Sequence, residues 1–362
     1  MRIVTILGTR PEIIRLCRVI PRLDALAEHT LVHTGQNYDE RLSDMFFRDL
    51  GLRAPDHHLG IRATDFGAQA GAILERSEAL LKKLRPDRVL ILGDTNSGLA
   101  ALVARRRGIA VYHMEAGNRC WDDRVPEEIN RRVIDHSSNV LLPYTERSRQ
   151  NLLAEGIAAQ RIFVTGNPIR EVMDHYAAQV DASTALAQMG GEEGGYFLVT
   201  LHRAENVDDP ARLACFVEAL EGVAARWRLP VIVSLHPRTA ARAKEAGVEL
   251  EGPGMRLSPP FGFFDFVRLE RSAACVLTDS GTVQEETCLL GVPNVTLRDT
   301  TERPETLECG SNVLAGADPE RVCEAAALVM ERRGGWSPPP EYMATRVSET
   351  VCRILLSVPI CA

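Results

Sequence analysis

The sequence predicts two doubly wound α/β domains. Short apolar runs alternate with amphipathic stretches along most of its 362 residues, and polar clusters follow the apolar runs. The chain is also longer than one compact core requires, which favours two domains. Since only 5% of the residues are aromatic, the cores must be built mainly from aliphatic side chains.

The first half of the chain has the pattern of a parallel sheet built from βαβ units. Its first apolar run, residues 2–7, leads through Gly8 to Pro11, and proline suits the first turn of a helix. The other predicted strands of this half lie at 30–34, 88–93, 109–114, 139–142 and 162–164.

The stretch 166–195 interrupts this alternation. We interpret its opening Gly-Asn-Pro as a crossover between domains and its glycine-rich end as a loop. Further strands are predicted at 196–200, 231–235, 276–278 and 294–297. We therefore expect an N-terminal domain at 1–168, on which a C-terminal helix at about 341–362 packs back, and a second domain at 169–340, with a cleft between the two.

Composition excludes several classes of protein. A net charge of −7 argues against a nucleic-acid partner, and no apolar run approaches the roughly 20 residues that cross a bilayer. The N-terminal sequence lacks the features of a secretory signal, so a cytoplasmic protein without membrane insertion is expected. The nine scattered cysteines form no C-x-x-C pair and no Cys/His cluster, which predicts neither structural disulfides nor a metal site.

Polar clusters collect where the predicted strands end. They lie at 8–12, 93–96, 113–119, 201–206, 236–238, 278–282 and 298–305. Since ligands of open α/β sheets bind beyond the carboxyl ends of the strands, these clusters predict the substrate site.

Three carboxylates of the first half, Asp94, Glu115 and Glu127, are candidate acid/base groups. Asp94 and Glu115 follow neighbouring predicted strands, and Glu127 lies at a predicted helix start. Carboxylates that converge repel one another and lose solvation, which favours proton uptake in a useful pH range. Taken singly, Asp94 could instead cap a helix, and Glu127 could be a first-turn carboxylate that the helix dipole stabilises.

One cluster of the second half predicts a phosphate site at a helix start, where backbone N–H groups are free. Ser280 and Gly281 would let a diphosphate approach closely, and Glu286 could bind ribose hydroxyls. Thr282 lies in the same predicted turn. The alternative is that Asp279 and Ser280 only cap the helix. Neither G-x-G-x-x-G nor the P-loop motif occurs, so dinucleotide and nucleoside triphosphate sites are disfavoured.

Four basic side chains at strand ends are further candidates for substrate binding. His202 and Arg10 could each stabilise a departing phosphate, although a lone histidine is more often structural. His236 and Arg303 occupy two other clusters of the second half.

The order of these clusters is more specific than any one of them. Together they resemble the non-hydrolysing UDP-N-acetylglucosamine 2-epimerases, from Arg2 to about Gly316. The motifs that carry the resemblance are Gly8-Thr9-Arg10-Pro11-Glu12, Gly93-Asp94-Thr95, Glu115-Ala116-Gly117, Pro126-Glu127-Glu128, Asn130-Arg131, Thr165-Gly166-Asn167, His202-Arg203, Asp279-Ser280-Gly281 and Arg298-Asp299-Thr300-Thr301-Glu302-Arg303-Pro304-Glu305.

The resemblance implies a fold of two Rossmann-like domains, like that of the retaining GT-B glycosyltransferases, usually as a homodimer. It also implies inversion at C2 of a UDP-2-acetamido sugar without metal or cofactor. A base removes the C2 proton while UDP leaves C1, and UDP then re-adds to the 2-acetamidoglycal as a proton reaches the other face.

Individual roles follow from the same resemblance. Asp94, Glu115 and Glu127 match the acid/base carboxylates, and His202 matches the histidine that stabilises departing UDP. The matches to substrate-contacting positions are Arg10, Ser280 and Gly281 for the diphosphate, Glu286 for the ribose and Phe266 for the uracil.

The chain also departs from the common pattern of this family. Arg15 stands where a lysine is usual, which makes it a further substrate-binding candidate, and Ala204 stands where an arginine is usual. Segments 33–39 and 117–126 resemble the branch that converts UDP-2-acetamido-2,6-dideoxy-L-talose into UDP-N-acetyl-L-fucosamine for capsule and O-antigen synthesis. The alternatives are a UDP-GlcNAc/UDP-ManNAc 2-epimerase, a retaining UDP-sugar glycosyltransferase and a non-catalytic UDP-sugar sensor.

Overall fold

The computed structural model describes residues 1–36, 40–63 and 65–358. The chain divides into two compact units: unit 1 comprises Met1–Met173 and Glu341–Ala362, and unit 2 comprises Asp174–Pro340. The division therefore falls after residue 173, where the sequence placed it after 168. None of the described helices is long and apolar enough to cross a membrane.

In the described part of the chain, unit 1 contains a six-stranded parallel sheet with helices around it. Its strands are β1 (Arg2–Leu7), β2 (Glu28–His33), β3 (His57–His58), β4 (Arg88–Leu92), β5 (Ala110–Met114) and β6 (Val140–Leu142). Its helices are α1 (Arg10–Leu16), α2 (Val19–Leu26), α3 (Glu40–Asp49), α4 (Phe66–Leu84), α5 (Ala100–Arg106), α6 (Pro126–Ser137) and α7 (Glu146–Ala154), and α8 (Ile169–His175) crosses the boundary.

Unit 2 repeats this architecture in its described residues. Its strands are β7 (Phe197–Leu201), β8 (Val231–Leu235), β9 (Met255–Ser258), β10 (Cys275–Thr278), β11 (Asn294–Thr296) and β12 (Asn312–Leu314). Its helices are α9 (Ala177–Asp181), α10 (Ala185–Gln188), α11 (Ala204–Val207), α12 (Pro210–Trp227), α13 (Pro237–Ala246), α14 (Phe263–Ser272), α15 (Gly281–Leu290), α16 (Pro304–Cys309) and α17 (Pro319–Met330). The last helix, α18 (Val347–Ser357), returns to unit 1 and contacts α2.

The central strands are buried on both faces because helices cover each side of a parallel sheet. β1 is buried from its second residue onward, and β5 is buried throughout. Aliphatic side chains dominate both cores, as the low aromatic content required. Examples are Ile6 and Val111 in unit 1 and Val199 and Leu277 in unit 2.

Both sheets have the same strand order when each is numbered within its own unit and the two are read from opposite edges. The orders are β3-β2-β1-β4-β5-β6 and β12-β11-β10-β7-β8-β9. Successive connections change direction beside β1 in unit 1 and beside β7 in unit 2. Since ligands of doubly wound folds bind at such a switch point, the ends of β1 and β4 and the ends of β7 and β10 are the expected binding regions.

The structure corrects the sequence prediction in three places. Residues 162–164 form no strand in the described chain beyond one bridge between Leu141 and Ile162. The final helix begins at Val347, after a short 3-10 turn at Pro340–Met343. The strands β3, β9 and β12 were not predicted, because they are short and partly exposed and carry too little apolar pattern, whereas the equally short edge strand β6 is buried throughout and was predicted.

Candidate active site

Asp94 and Glu115 follow neighbouring strands of unit 1. β4 pairs with β5 so that Leu92 is opposite Met114; Glu115 directly follows Met114, and Asp94 comes two residues after Leu92. Glu115 has a φ of 66°, which is the left-handed region that residues other than glycine rarely adopt. Strain of this kind persists only where the surroundings fix it, and it concentrates at functional sites.

Each of these carboxylates faces a buried arginine. Arg131 Nε donates to Asp94 Oδ2 over 2.9 Å, and Arg15 forms an ion pair with Glu115. Asn118 also donates to Glu115, over 3.2 Å. A guanidinium partner stabilises the charged form of a carboxylate. The sequence predicted only repulsion between carboxylates and gave no sign of these partners, because Arg15 lies 100 residues away from Glu115 in the chain.

Helix α6 supplies the side chains around Asp94. Asn130 donates to the Asp94 backbone carbonyl over 3.0 Å, and Arg131 also pairs with the fully buried Glu128 at 2.8 Å. Glu127 lies in the first turn of the same helix and is partly exposed. Glu127 is therefore on α6, the same helix that positions Asp94.

A buried network holds the loop that carries Glu115. His113 Nδ1 lies 2.8 Å from Asp135, and its Nε2 lies 2.8 Å from the Gly93 carbonyl. Asp135 also accepts hydrogen bonds from Arg119 at 2.8 Å and from the Gly117 N–H at 3.1 Å. Burial alone would raise the pKa of Asp135, but His113 and Arg119 outweigh it and lower that pKa. The network ties the ends of β4 and β5 together.

At the switch point of unit 1, Glu12 connects the ends of β1 and β4. Its carboxylate accepts from the N–H groups of Gly8 at 2.9 Å and Thr9 at 2.7 Å, and from the Thr95 hydroxyl at 3.2 Å. Burial raises the pKa of Glu12 to about 7, although these donors oppose the rise. Arg10 begins α1 and is half-buried over the Phe46 ring, and burial lowers its pKa.

In unit 2, Asp279 connects the two strand ends of the switch point. It lies after β10 and accepts from the N–H groups of His202 at 2.8 Å and Arg203 at 2.7 Å, which follow β7. Its Oδ1 is 3.0 Å from His202 Nδ1. Burial alone would raise the pKa of Asp279, but His202 and these N–H groups lower it to about 2. Asp279 therefore orients His202, and any proton donation by the ring would use Nε2.

The start of α15 keeps its backbone donors free of side-chain caps. Ser280 is in the N-cap position, but its hydroxyl pairs with that of Thr282 at 3.1 Å. Asp279 instead accepts hydrogen bonds from the N–H groups that follow β7. The alternative in which both residues serve only as caps therefore does not hold. Gly281 is favoured by packing, because a Cβ there would lie 2.3 Å from Glu302 Oε1 and would displace that carboxylate.

Arg303 is buried, whereas a side chain that only contacts phosphate could remain exposed. It forms an ion pair with Glu285 of α15. Its neighbour Glu302 pairs with Arg298 at 2.8 Å. These contacts hold the segment before α16 in place next to the first turns of α15. His236 caps α13 by accepting from the Arg238 N–H over 3.2 Å, and its ring centroid is 5.4 Å from that of His202.

Glu286 lies beside a second carboxyl, that of Glu270, which the sequence analysis did not predict. Glu270 of α14 is fully buried, and burial together with Glu286 raises its pKa well above the usual range. Burial and the neighbouring Glu286 carboxylate therefore favour the protonated form of Glu270. No local motif identifies such a pair, since it depends on the packing of α14 against α15. Phe266, also on α14, is partly buried against the apolar core of this face.

The sequence segments that suggested a particular substrate branch are only partly described. Residues 37–39 lie outside the described residues. In segment 117–126, Arg119 is buried and paired with Asp135 and Glu155, and Arg124 pairs with Asp122. Nowhere in the described chain do three or more His, Cys, Asp or Glu side chains form a group that could hold a metal ion.

These features define a class of protein: a two-domain α/β protein with a GT-B-like fold, in which one unit has carboxylates at its strand ends and the other has a helix start without a side-chain cap. The family model described as UDP-N-acetylglucosamine 2-epimerase matches residues 22–356. The chain belongs to the UDP-N-acetylglucosamine 2-epimerase family and is therefore an epimerase, a kind of isomerase.

Similar proteins cover nearly the same length. A UDP-N-acetylglucosamine 2-epimerase of Methanocaldococcus jannaschii is 40% identical over 98% of this chain and 99% of its own. A crystal structure from that organism, in complex with UDP-GlcNAc and UDP, has a TM-score of 0.94 at 40% identity, with coverage of 98% and 99%. A UDP-2,3-diacetamido-2,3-dideoxy-D-glucuronate 2-epimerase of Pseudomonas aeruginosa is 39% identical over 90% of this chain and 91% of its own.

Proposed function

We propose that this epimerase inverts C2 of a UDP-2-acetamido sugar by eliminating UDP and adding it back. The observation that carries the proposal is the pair Asp94 and Glu115, which follow adjacent strands and are each held by an arginine. The reaction needs one group to remove the C2 proton and another to return a proton on the opposite face. Asp94, Glu115 and Glu127 would share these two tasks.

Unit 2 would bind UDP and stabilise it as it leaves. The N–H groups at Gly281 and Thr282, together with the Ser280 hydroxyl, would hold the diphosphate, since a helix start favours anions. His202, oriented by Asp279, would donate to the departing diphosphate from Nε2. The remaining candidates for substrate contacts are Glu286 for the ribose, Phe266 for the uracil, His236 beside His202, Arg10 for phosphate, and Arg15 and Arg303 as supporting cations.

The proposed substrate is UDP-2-acetamido-2,6-dideoxy-L-talose, which would give UDP-N-acetyl-L-fucosamine. Segments 33–39 and 117–126 support this substrate through their resemblance to the branch of the family that makes UDP-N-acetyl-L-fucosamine. The second candidate is UDP-GlcNAc, which the name of the Methanocaldococcus relative supports.

A solvent-exchange assay separates these substrates. The protein is incubated in D2O with each of three sugar nucleotides, namely the 6-deoxy-L-talose form, UDP-GlcNAc and the diacetamido-glucuronate, and C2 deuterium is followed by NMR. We expect the fastest exchange with the 6-deoxy sugar. Faster exchange with either other compound overturns the substrate proposal, and no exchange with any of them favours glycosyl transfer or a binding function.

We also propose that the enzyme is a cytoplasmic homodimer. The free thiols of all the described cysteines suit a reducing compartment. Ile129 and Val133 of α6 are exposed one helical turn apart, and Leu102 is exposed on the adjacent α5, which is a surface a second copy could cover. Light scattering of a Val133→Asp variant tests this: we expect a monomer, and an unchanged dimer excludes this surface.

A further inference from the structure

Two cysteines of unit 2 lie in contact beside the proposed UDP site. Cys288 is on α15, and Cys309 is the last residue of α16. Their Sγ atoms are 3.7 Å apart. Sequence spacing gave no sign of this pair, because 21 residues separate the two positions. A disulfide requires an S–S distance of about 2.05 Å, so a modest movement of the side chains and of the end of α16 would close the gap.

The two thiols have unequal surroundings. Cys309 is partly exposed, and its Sγ lies 3.4 Å from the Ser311 hydroxyl. The hydrogen bond from Cys288 is the main cause that lowers the pKa of Cys309 to about 6. Cys288 is buried, and its pKa is raised by the same hydrogen bond and by burial. Cys309 is therefore the more accessible and more readily ionised thiol, with a buried thiol in contact to resolve any oxidised form.

We propose that Cys288 and Cys309 form a peroxide-sensitive dithiol that closes to a reversible disulfide. The Cys309 thiolate attacks hydrogen peroxide, the O–O bond breaks, and hydroxide leaves as Cys309 becomes a sulfenic acid. The Cys288 sulfur then attacks the Cys309 sulfur, and the S–O bond breaks. The Cys288 proton leaves with that oxygen as water. In total, two thiols and one peroxide give one disulfide and two waters.

The disulfide would act on the start of α15 through existing contacts. Cys309 ends the helix that follows Arg303, and Arg303 is paired with Glu285 of α15. Glu302 packs so closely on Gly281 that a side chain at position 281 would have to displace the Glu302 carboxylate. Drawing the end of α16 towards Cys288 would therefore disturb the turn that we propose binds the diphosphate. This consequence rests on the proposed function, whereas formation of the disulfide does not.

The direct test is peptide mapping of the full, reduced chain after treatment with hydrogen peroxide at pH 7. We expect one cross-linked Cys288–Cys309 peptide, lighter by two hydrogen atoms and restored by dithiothreitol. Cys323→Ser is the matched control, since Cys323 is another partly buried thiol of unit 2, and it should leave the cross-link unchanged. Oxidation of Cys309 to sulfinic acid without a cross-link overturns the proposal.

Two further measurements separate the chemistry from its consequence. In Cys288→Ser, the resolving thiol is gone, so dimedone should trap a sulfenic acid on Cys309; absence of that adduct contradicts the proposed first step. UDP titration by calorimetry should show at least tenfold weaker binding after oxidation, with recovery on reduction. An intact disulfide with unchanged UDP affinity contradicts the coupling to α15, and failure of even the reduced protein to bind UDP contradicts the proposed function instead.

Discussion

Units 1 and 2 have the same strand order but different chemistry at their switch points. In unit 1, the carboxylates Asp94 and Glu115 are held by arginines from other parts of the chain. In unit 2, the carboxylate Asp279 is itself the holding group, and it fixes His202 beside a helix start without a side-chain cap. The same fold thus presents side chains suited to proton transfer in one unit and donors suited to an anion in the other.

The two arrangements also differ in how much they depend on buried charge. Unit 1 stabilises its carboxylates with two guanidinium groups that are each 2% exposed. In unit 2, Asp279 is held by the N–H groups of His202 and Arg203 and by the His202 ring, without a guanidinium partner. We therefore expect the loss of a buried guanidinium in unit 1 to cost more stability than the loss of the Asp279 carboxylate.

The largest effect is expected for Arg131→Met. The variant leaves Asp94 and the buried Glu128 without their main cation, and breaking a buried pair in this way costs about 3–5 kcal/mol of unfolding free energy. C2 exchange should also be lost. Urea unfolding and the NMR exchange assay measure both quantities.

Arg132→Met is the matched control for that variant. Arg132 is the next residue on α6 and is more exposed, and it pairs with Glu128 and Asp123 at 3.1 Å. Its loss should cost less than about 1 kcal/mol. If the two variants are equally stable, the buried arginine does not have the role assigned to it.

A smaller effect, which depends on pH, is expected from Asp279. Its pKa is about 2 in the folded chain, below the ordinary aspartate value of 3.8, so folding favours the ionised carboxylate. The resulting stabilisation amounts to about 2 kcal/mol above about pH 4, and it is lost as the pH falls towards 2. Asp279→Asn should remove that part of the pH dependence.

Tryptophan fluorescence can restrict this measurement to unit 2. In a Trp121→Phe background, the remaining tryptophans Trp227 and Trp336 both lie in unit 2. Between pH 4 and pH 2, the urea midpoint should fall more steeply for the protein that retains Asp279 than for the Asp279→Asn variant. Parallel curves for the two proteins would show that the carboxylate is not preferentially ionised in the fold.

The smallest effect is expected for Glu270→Gln. Burial and Glu286 favour the protonated form of Glu270, so an amide should change the unfolding free energy by less than about 1 kcal/mol. Glu270→Ala, which leaves a cavity, should cost more. Calorimetric UDP titration should give nearly the wild-type affinity for Glu270→Gln, and a tenfold loss would mean that Glu270 acts as a charged group.

The sequence predicted where polar groups would collect but not which groups would pair. Strand ends such as those before Asp94 and His202 were recognisable, because apolar runs stop there. Arg15 was considered only as a substrate contact, and its pairing with Glu115 depends on tertiary packing across the sheet. Asp279 looked like a helix cap, yet it binds the end of a neighbouring strand that lies 76 residues earlier in the chain.

The fold prediction failed mainly at the sheet edges for a related reason. β9 and β12 are short and partly exposed, so they lack the continuous apolar runs that marked the central strands. The central strands were predicted because helices cover both of their faces, which makes nearly every residue apolar. Local pattern therefore identifies the middle of each sheet better than its borders.

The division of roles between the units is tested most directly by one paired measurement on Asp94→Asn and Gly281→Ala. Each variant is assayed for C2 deuterium exchange and for UDP affinity, with Gly71→Ala, which meets no neighbouring atom, as the control. Asp94→Asn should lower exchange at least about 100-fold with UDP affinity unchanged. Gly281→Ala should weaken UDP binding at least about tenfold, since its Cβ would meet Glu302. Weaker UDP binding by Asp94→Asn, or wild-type exchange in it, would contradict this division.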